Sequence, residues 1–232
     1  MKNPIIFILM ALIGLQATAQ ELLSPSFTFS HKKTAYITLM DGTELKGNVD
    51  KIKREKGLIE EIKFVDGSGK KYKLKAGDVK EMYLPPSGVD KLSRAMNIAN
   101  DARKWNNESM NSDLLNKNYV YFENAQVKIK KKELTLLMQL LNPTFSKSVK
   151  VYHDPYAKET ASLGVGGVKV AGGDAKSYFI ALNNQAAFKL TKKKYKEEFL
   201  LLWKTCGQMK TSFPDIKWTE LTQHITTFTD CQ

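Results

Sequence analysis

An Asp-Gly pair lies between two β-prone runs in Tyr36–Lys46, the segment YITLMDGTELK, from which the fold is built up. Apolar and polar residues alternate on both sides of Asp41-Gly42, as they do in a strand with one buried face. Asp-Gly favours the positive-φ positions of a two-residue hairpin turn. The segment therefore predicts two antiparallel strands joined by a tight turn.

The same arrangement recurs further along the chain. Two more β-prone runs, Ile62–Val65 and Lys71–Leu74, flank a second turn sequence, Asp66–Gly69. A last run, Val79–Leu84, ends at two prolines, which cannot donate hydrogen bonds to a strand ladder. Five short alternating strands in succession predict a small antiparallel β-barrel or meander, which we assign to residues 20–86.

The hydrophobic period changes after this β module. Residues 87–104 have helical spacing and polar turn residues follow, so we assign 87–118 to a helix and a linker. Residues 119–232 predict an α+β module that ends in two helices, and the whole chain belongs to the α+β class. Helices are expected over residues 133–141, after a Thr191 cap, and over residues 217–229. The expected strands are Tyr119–Phe122, Gln126–Lys130, Val149–His153, Ser177–Leu182 and Ala187–Leu190.

Residues 1–19 have the three parts of a secretory signal peptide. Lys2 supplies a basic start, Ile5–Leu15 is an apolar run, and small residues precede the expected cleavage after Ala19. The apolar run is too short for a membrane span, which needs roughly 20 residues, and no later segment approaches that length. We therefore expect an exported protein in the periplasm or outside the cell, without an integral membrane span after cleavage.

Two cysteines, Cys206 and Cys231, lie in the C-terminal region. An oxidising compartment permits one disulfide between them. Their spacing is equally compatible with two separate structural thiols, because spacing alone does not fix the geometry of the two Cβ atoms. Both alternatives stay open from the sequence.

Few residues are suited to metal or cofactor chemistry. The three histidines are too far apart in sequence to form a helical ligand pair, so we expect no metal site and no cofactor. The glycine-rich residues 161–174 lack the spacing of phosphate-binding loops and predict a surface hairpin. His153-Asp154 is a weak candidate pair, and the sequence identifies no catalytic residues.

The lysines form the most informative charge pattern. The chain has 36 Lys+Arg against 24 Asp+Glu, and residues 119–232 contain 17 of the former and 10 of the latter. One cluster falls in the first turns of the helix expected after Thr191, and the other leads into the helix expected near Glu133; the helix dipole disfavours cations at both places. This conflict makes six lysines candidates for anion binding: Lys130, Lys131, Lys132, Lys192, Lys193 and Lys194. The alternative is a solvated charged surface with Lys193–Glu197 and Lys194–Glu198 ion pairs.

Two resemblances follow from the segment Tyr36–Gly47, from Ile62–Asp66 and from Asp78-Val79. In these residues, and in the arrangement of residues 177–231, the chain resembles a group of uncharacterised exported proteins of the Gram-negative envelope. That group has an N-terminal Asp-Gly hairpin module and C-terminal helices, and it implies no known activity. The β module also looks like Sm-like and SH3-like small barrels, which would imply nucleic-acid or peptide binding.

Together these observations predict a function class rather than a reaction. We expect a non-enzymatic exported envelope protein with a binding or structural role, whose partner is an anionic envelope component or another envelope protein. One alternative is an enzyme acting on an envelope polymer with unidentified site residues. Another is a nucleic-acid- or peptide-binding barrel, but the signal peptide and the lack of an aromatic stacking motif argue against nucleic acid.

Overall fold

The computed structural model describes residues 21–88, 109–157, 163–165, 168–171 and 175–232. The predicted signal peptide and nearly all of the predicted helix over residues 87–104 lie outside the described residues. The described strands are β1 (Ala35–Leu39), β2 (Glu44–Glu55), β3 (Leu58–Asp66), β4 (Lys71–Lys75), β5 (Val79–Leu84), β6 (Val120–Ile129), β7 (Lys132–Gln139), β8 (Val149–His153), β9 (Leu163–Val165), β10 (Val168–Ala171), β11 (Ser177–Leu182) and β12 (Ala187–Thr191). The described helices are α1 (Ser112–Asn116), α2 (Tyr195–Leu202), α3 (Met209–Ser212) and α4 (Leu221–Asp230).

Ten of these strands form a single sheet. Its order is β4-β3-β2-β1-β5-β6-β12-β11-β8, and β7 pairs with β6 outside this path. Within it, β6 and β12 are parallel, whereas the other pairings are antiparallel. β9 and β10 form a separate antiparallel hairpin in the glycine-rich segment. The chain is therefore a mixed α and β protein with one large sheet and C-terminal helices.

The five predicted N-terminal strands are confirmed as β1 to β5. Gly42 has a φ of 88°, and the backbone N–H of Thr43 donates to Asp41 Oδ1 over 2.9 Å; of the two turn residues, only Gly42 has the positive φ expected for a two-residue turn. The sequence pattern does not predict the further turn at Lys56-Gly57, which joins β2 to β3 with φ values of 49° and 83°. β5 pairs onward with β6 and the sheet does not close, so the predicted barrel is not confirmed.

The predicted helix over residues 133–141 is wrong, because these residues form most of β7. Leu, Met, Glu and Gln favour helices, and the segment contains all four. However, β7 pairs with β6 along its whole length, from Ile129 opposite Lys132 to Phe122 opposite Gln139. Tertiary pairing thus overrides the local helix propensity.

The predicted helix cap at Thr191 is also wrong. Strand β12 extends through Thr191, a short turn follows, and α2 begins at Tyr195 without a side-chain cap. The last predicted helix is confirmed, since α4 spans Leu221–Asp230 and buries Leu221, Ile225 and Phe228. One cluster of buried aromatic and aliphatic side chains packs α2 and α4 against β8, β11 and β12.

Cys206 and Cys231 form a disulfide, with their Cα atoms 5.6 Å apart. Cys206 follows the end of α2, and Cys231 follows the end of α4. Packing of the two helices in one hydrophobic cluster brings these ends together. Within the described part of the chain, no helix has the length and apolar character needed to cross a membrane.

Candidate anion-binding surface

The parallel pairing of β6 with β12 determines where the predicted lysine clusters lie. Ala187 is opposite Val127, and Phe188 is opposite Lys128. Beyond these pairs β6 ends at Ile129 and β12 ends at Thr191. Because parallel strands point in the same direction, the turns that follow them lie at the same end of the sheet. The two lysine clusters are therefore brought to one end of the molecule.

We call this group the lysine surface. It consists of Lys130, Lys131, Lys132, Lys192, Lys193 and Lys194, all of which are exposed. Lys130 has a φ of 57° and lies in the turn between β6 and β7. In the turn after β12, the backbone N–H of Lys192 donates to the Lys176 carbonyl over 2.9 Å. Five of the lysines therefore lie in hairpin and strand-to-helix turns and Lys132 begins β7, whereas the sequence predicts that the clusters lie at helix starts.

The lysine surface is not neutralised by neighbouring carboxylates. Among the described residues, none of its six side chains forms an ion pair. The nearby Glu133 pairs instead with Lys128, at 3.3 Å. The alternative pairs Lys193–Glu197 and Lys194–Glu198 are absent from the described ion pairs. Six like charges without counter-ions favour the approach of an anion.

His153 and Asp154 are adjacent in sequence but lie in different environments. His153 lines a small cavity, and its ring lies edge-on to that of Phe27 at 5.4 Å between centroids. Asp154 is fully buried and accepts hydrogen bonds from the Ser177 hydroxyl and from the ammonium group of Lys189, both at 2.6 Å. The two residues therefore do not act as a pair, and Asp154 links β8 to β11 and β12.

A second polar network joins side chains of β5, β6 and β8. Glu81 on β5 is directly opposite Glu123 on β6. The hydroxyl of Tyr121 donates to Glu81 over 2.8 Å. Glu123 accepts from the Tyr152 hydroxyl at 2.7 Å and from Lys150 at 2.8 Å. The lysine and the two phenols offset the repulsion expected between facing carboxylates.

Burial and the neighbouring carboxylates raise the pKa of Tyr121 and of Tyr152 above the ordinary value for tyrosine. Both phenols therefore stay protonated and act as hydrogen-bond donors at physiological pH. The sequence alone does not reveal this network, because its members lie on three strands, β5, β6 and β8, that are far apart in sequence. The one local signal is the alternation that places Tyr121 and Glu123 on the same face of β6.

The described residues contain no group of three or more His, Cys, Asp and Glu side chains that could hold a metal ion. Comparisons with models of protein families, with curated proteins and with solved structures find no match. The function has to be inferred from the residues and the geometry of this chain.

Proposed function

We propose that the protein is an exported, non-enzymatic protein of the bacterial envelope that binds a polyanionic envelope component through the lysine surface. The observation that carries this proposal is the convergence of two lysine clusters, 60 residues apart in sequence, at one end of the sheet. Two adjoining turns form a broad surface, and a broad surface suits a chain of anionic groups better than a single ion. Phosphate, sulfate and carboxylate groups all have the required charge.

The proposed export depends on the N-terminal segment and on the disulfide. Residues 1–19 have the pattern of a signal peptide, and disulfides persist in oxidising compartments such as the periplasm. We place the protein in the periplasm or outside the cell. The small-barrel organisation of residues 20–86 remains part of the proposal, supported by five consecutive antiparallel strands around a shared hydrophobic cluster.

Export is checked by N-terminal sequencing of the protein from fractionated bacterial cells. We expect Gln20 as the first residue of the mature chain, recovered from the periplasmic or extracellular fraction. A matched protein with Ala17 and Ala19 changed to Arg should keep the leader, because signal peptidase requires small residues there. Recovery of the unaltered chain from the cytoplasm with Lys2 to Leu15 intact would contradict export and favour the nucleic-acid alternative.

Retention on immobilised heparin tests the lysine surface. Changing Lys192, Lys193 and Lys194 to Gln should weaken heparin binding about tenfold, since each exposed charge contributes roughly 0.5 kcal/mol. Binding of the unaltered protein should fall as the salt concentration rises. A triple variant at Lys51, Lys63 and Lys80, which are exposed residues of β2, β3 and β5, makes the same change in net charge elsewhere.

If the lysine surface is the binding site, the variant at Lys192, Lys193 and Lys194 should bind heparin more weakly than the variant at Lys51, Lys63 and Lys80. If both weaken binding equally, heparin responds only to net charge and the lysine surface has no special role. Retention that does not fall with salt, or that survives Lys→Glu changes at all three positions 192–194, would also contradict the proposal. Circular dichroism of both variants checks that the fold is kept.

A further inference from the structure

A small cavity lies where the N-terminal segment, the β2–β3 hairpin and the ends of β7 and β8 meet. Its volume is about 20 Å³. A cavity of roughly 10–15 Å³ is enough for one water molecule, so this one can hold a small polar group. The polar residues that line it are Ser26, Arg54, Gln139 and His153. The lysine surface contributes none of the lining residues.

Three buried polar atoms at this cavity have no hydrogen-bond partner among the residues that the structure describes: Ser26 Oγ, Arg54 Nη2 and Gln139 Nε2. Leaving a buried polar atom unpaired is unfavourable, and more so when the group is charged. Three such atoms around one cavity therefore indicate a missing acceptor.

The hydrogen bonds already formed around the cavity show which donor groups remain available to a ligand. The backbone N–H of Ser26 donates to Gln139 Oε1 over 3.2 Å, so the amide nitrogen Nε2 is the atom left over. Arg54 uses Nη1 to donate to the Gly57 carbonyl, also at 3.2 Å, which leaves Nη2. A Cβ atom at Gly57 would lie 2.7 Å from Pro155 Cβ, so the hairpin turn packs closely against the end of β8. These contacts hold the donor groups of Arg54 and Gln139 in place in the absence of a ligand.

The described residues that line the cavity include one charged group, the cation of Arg54, and no carboxylate. Among the described residues, Arg54 has no carboxylate partner. Burial lowers the pKa of Arg54 from its ordinary value, yet a guanidinium in a protein stays protonated. A desolvated cation with a free N–H group is stabilised most by an anionic acceptor.

The small volume of the cavity favours some anions over others. A carboxylate is planar and its two oxygens can enter so small a space, whereas tetrahedral phosphate and sulfate are bulkier and fit it less readily. The rest of a ligand would lie outside the cavity, beside the ring of Phe27, which is 54% exposed and also lines the cavity. We infer that Arg54, Gln139 and Ser26 form a binding site for a carboxylate, carried by a small organic acid or by the C-terminus of a peptide.

Titration of the mature protein with sodium acetate, followed by NMR of the Ser26 backbone amide and the Arg54 side chain, tests this site. We expect saturable shifts that Arg54→Gln weakens at least tenfold. Lys51→Gln is the matched control, because it removes one positive charge from an exposed position on the same strand. Saturable binding that distinguishes these two variants supports the site. Absence of saturation, or equal weakening by both variants, overturns it and leaves a single water molecule as the occupant.

A second variant covers the case in which Arg54→Gln fails to fold. Gln139→Glu keeps the side-chain size and an acceptor for Ser26, but it adds a negative charge to the cavity. We expect a folded protein that no longer binds acetate. Unchanged acetate binding in this variant would overturn the site.

Titrations with two peptides distinguish a peptide C-terminus from a small organic acid as the source of the carboxylate. Trialanine with a free C-terminus and its C-terminal amide are titrated in parallel with acetate. Tighter binding of trialanine than of acetate, with no binding of the amide, assigns the site to peptide C-termini. Binding of acetate alone assigns it to small organic acids. Equal binding of trialanine and its amide would overturn carboxylate recognition.

Discussion

Reduction of the Cys206–Cys231 disulfide is expected to lower the free energy of unfolding by about 3 kcal/mol. The bridge closes a loop with a sequence separation of 25 residues, and it restricts the unfolded chain more than the folded one. The loop contains α3 and α4, which pack with α2 in the C-terminal hydrophobic cluster. The loss should therefore appear mainly in the stability of this helical region.

Urea unfolding with and without a phosphine reductant measures this effect. The double variant Cys206→Ala/Cys231→Ala is the control, since it should be equally stable in both conditions. Alkylation followed by mass spectrometry should label no cysteine before reduction and two afterwards. Identical unfolding curves of the unaltered protein in both conditions, or labelling without reduction, would contradict the bridge.

Acidification from pH 6.5 towards pH 4 is expected to destabilise the protein through His224. This side chain is fully buried in α4, and its Nδ1 atom lies 2.6 Å from the Tyr195 hydroxyl. The N–H group of Trp203 donates to the same hydroxyl at 3.4 Å, so we assign the hydroxyl proton to the bond with His224. The rings of Phe199 and Phe213 lie edge-on to the imidazole.

Burial lowers the pKa of His224 from 6.5 to about 4, although the carboxylate of Glu220, 3.9 Å from Nε2, opposes this change. Above pH 6.5 the side chain is neutral in both the folded and the unfolded state. Between pH 6.5 and pH 4 the unfolded state binds a proton that the folded state excludes. Stability is therefore lost as the pH falls, by at most about 1.4 kcal/mol per pH unit and about 3 kcal/mol in total.

Denaturant unfolding at a series of pH values from 7.5 to 4.5 measures this loss. His224→Gln is the control, because glutamine is neutral throughout and can still accept a hydrogen bond from Tyr195. The variant should lose less stability than the unaltered protein over the same pH range. The difference between the two proteins excludes the contributions of the other titrating groups. Parallel pH profiles for the two proteins would show that His224 is not responsible.

Local sequence patterns are reliable where a short segment specifies its own geometry. The Asp41-Gly42 turn and the Asn183-Asn184 turn both form hairpins, and these residues adopt the left-handed backbone region more easily than most. The apolar positions Leu221, Ile225 and Phe228 have helical spacing and form the buried face of α4. In these elements the conformational propensity of the residues, their tendency to form turns and the pattern of burial all predict the same structure.

Local patterns fail where distant pairing decides the conformation. The segment Glu133–Leu141 has helix-favouring residues but becomes a strand because β6 offers it a complete ladder partner. Thr191 resembles a helix cap, yet it completes β12, where it lies opposite Ser177 on β11. In both cases hydrogen bonds to another strand replace the local bonds that the pattern predicts.

The candidate sites also have some features that the sequence reveals and others that appear only in the tertiary structure. The sequence is sufficient to single out six lysines as a charge pattern, to mark two cysteines as a candidate pair and to predict an N-terminal leader, because each depends on residues close together in the chain or on composition. Only the tertiary structure brings the two lysine clusters to one end of the sheet, joins Cys206 to Cys231, and gathers Ser26, Arg54 and Gln139 around one cavity. The physical reason is that these contacts depend on strand register and core packing between segments far apart in sequence, which no local propensity encodes.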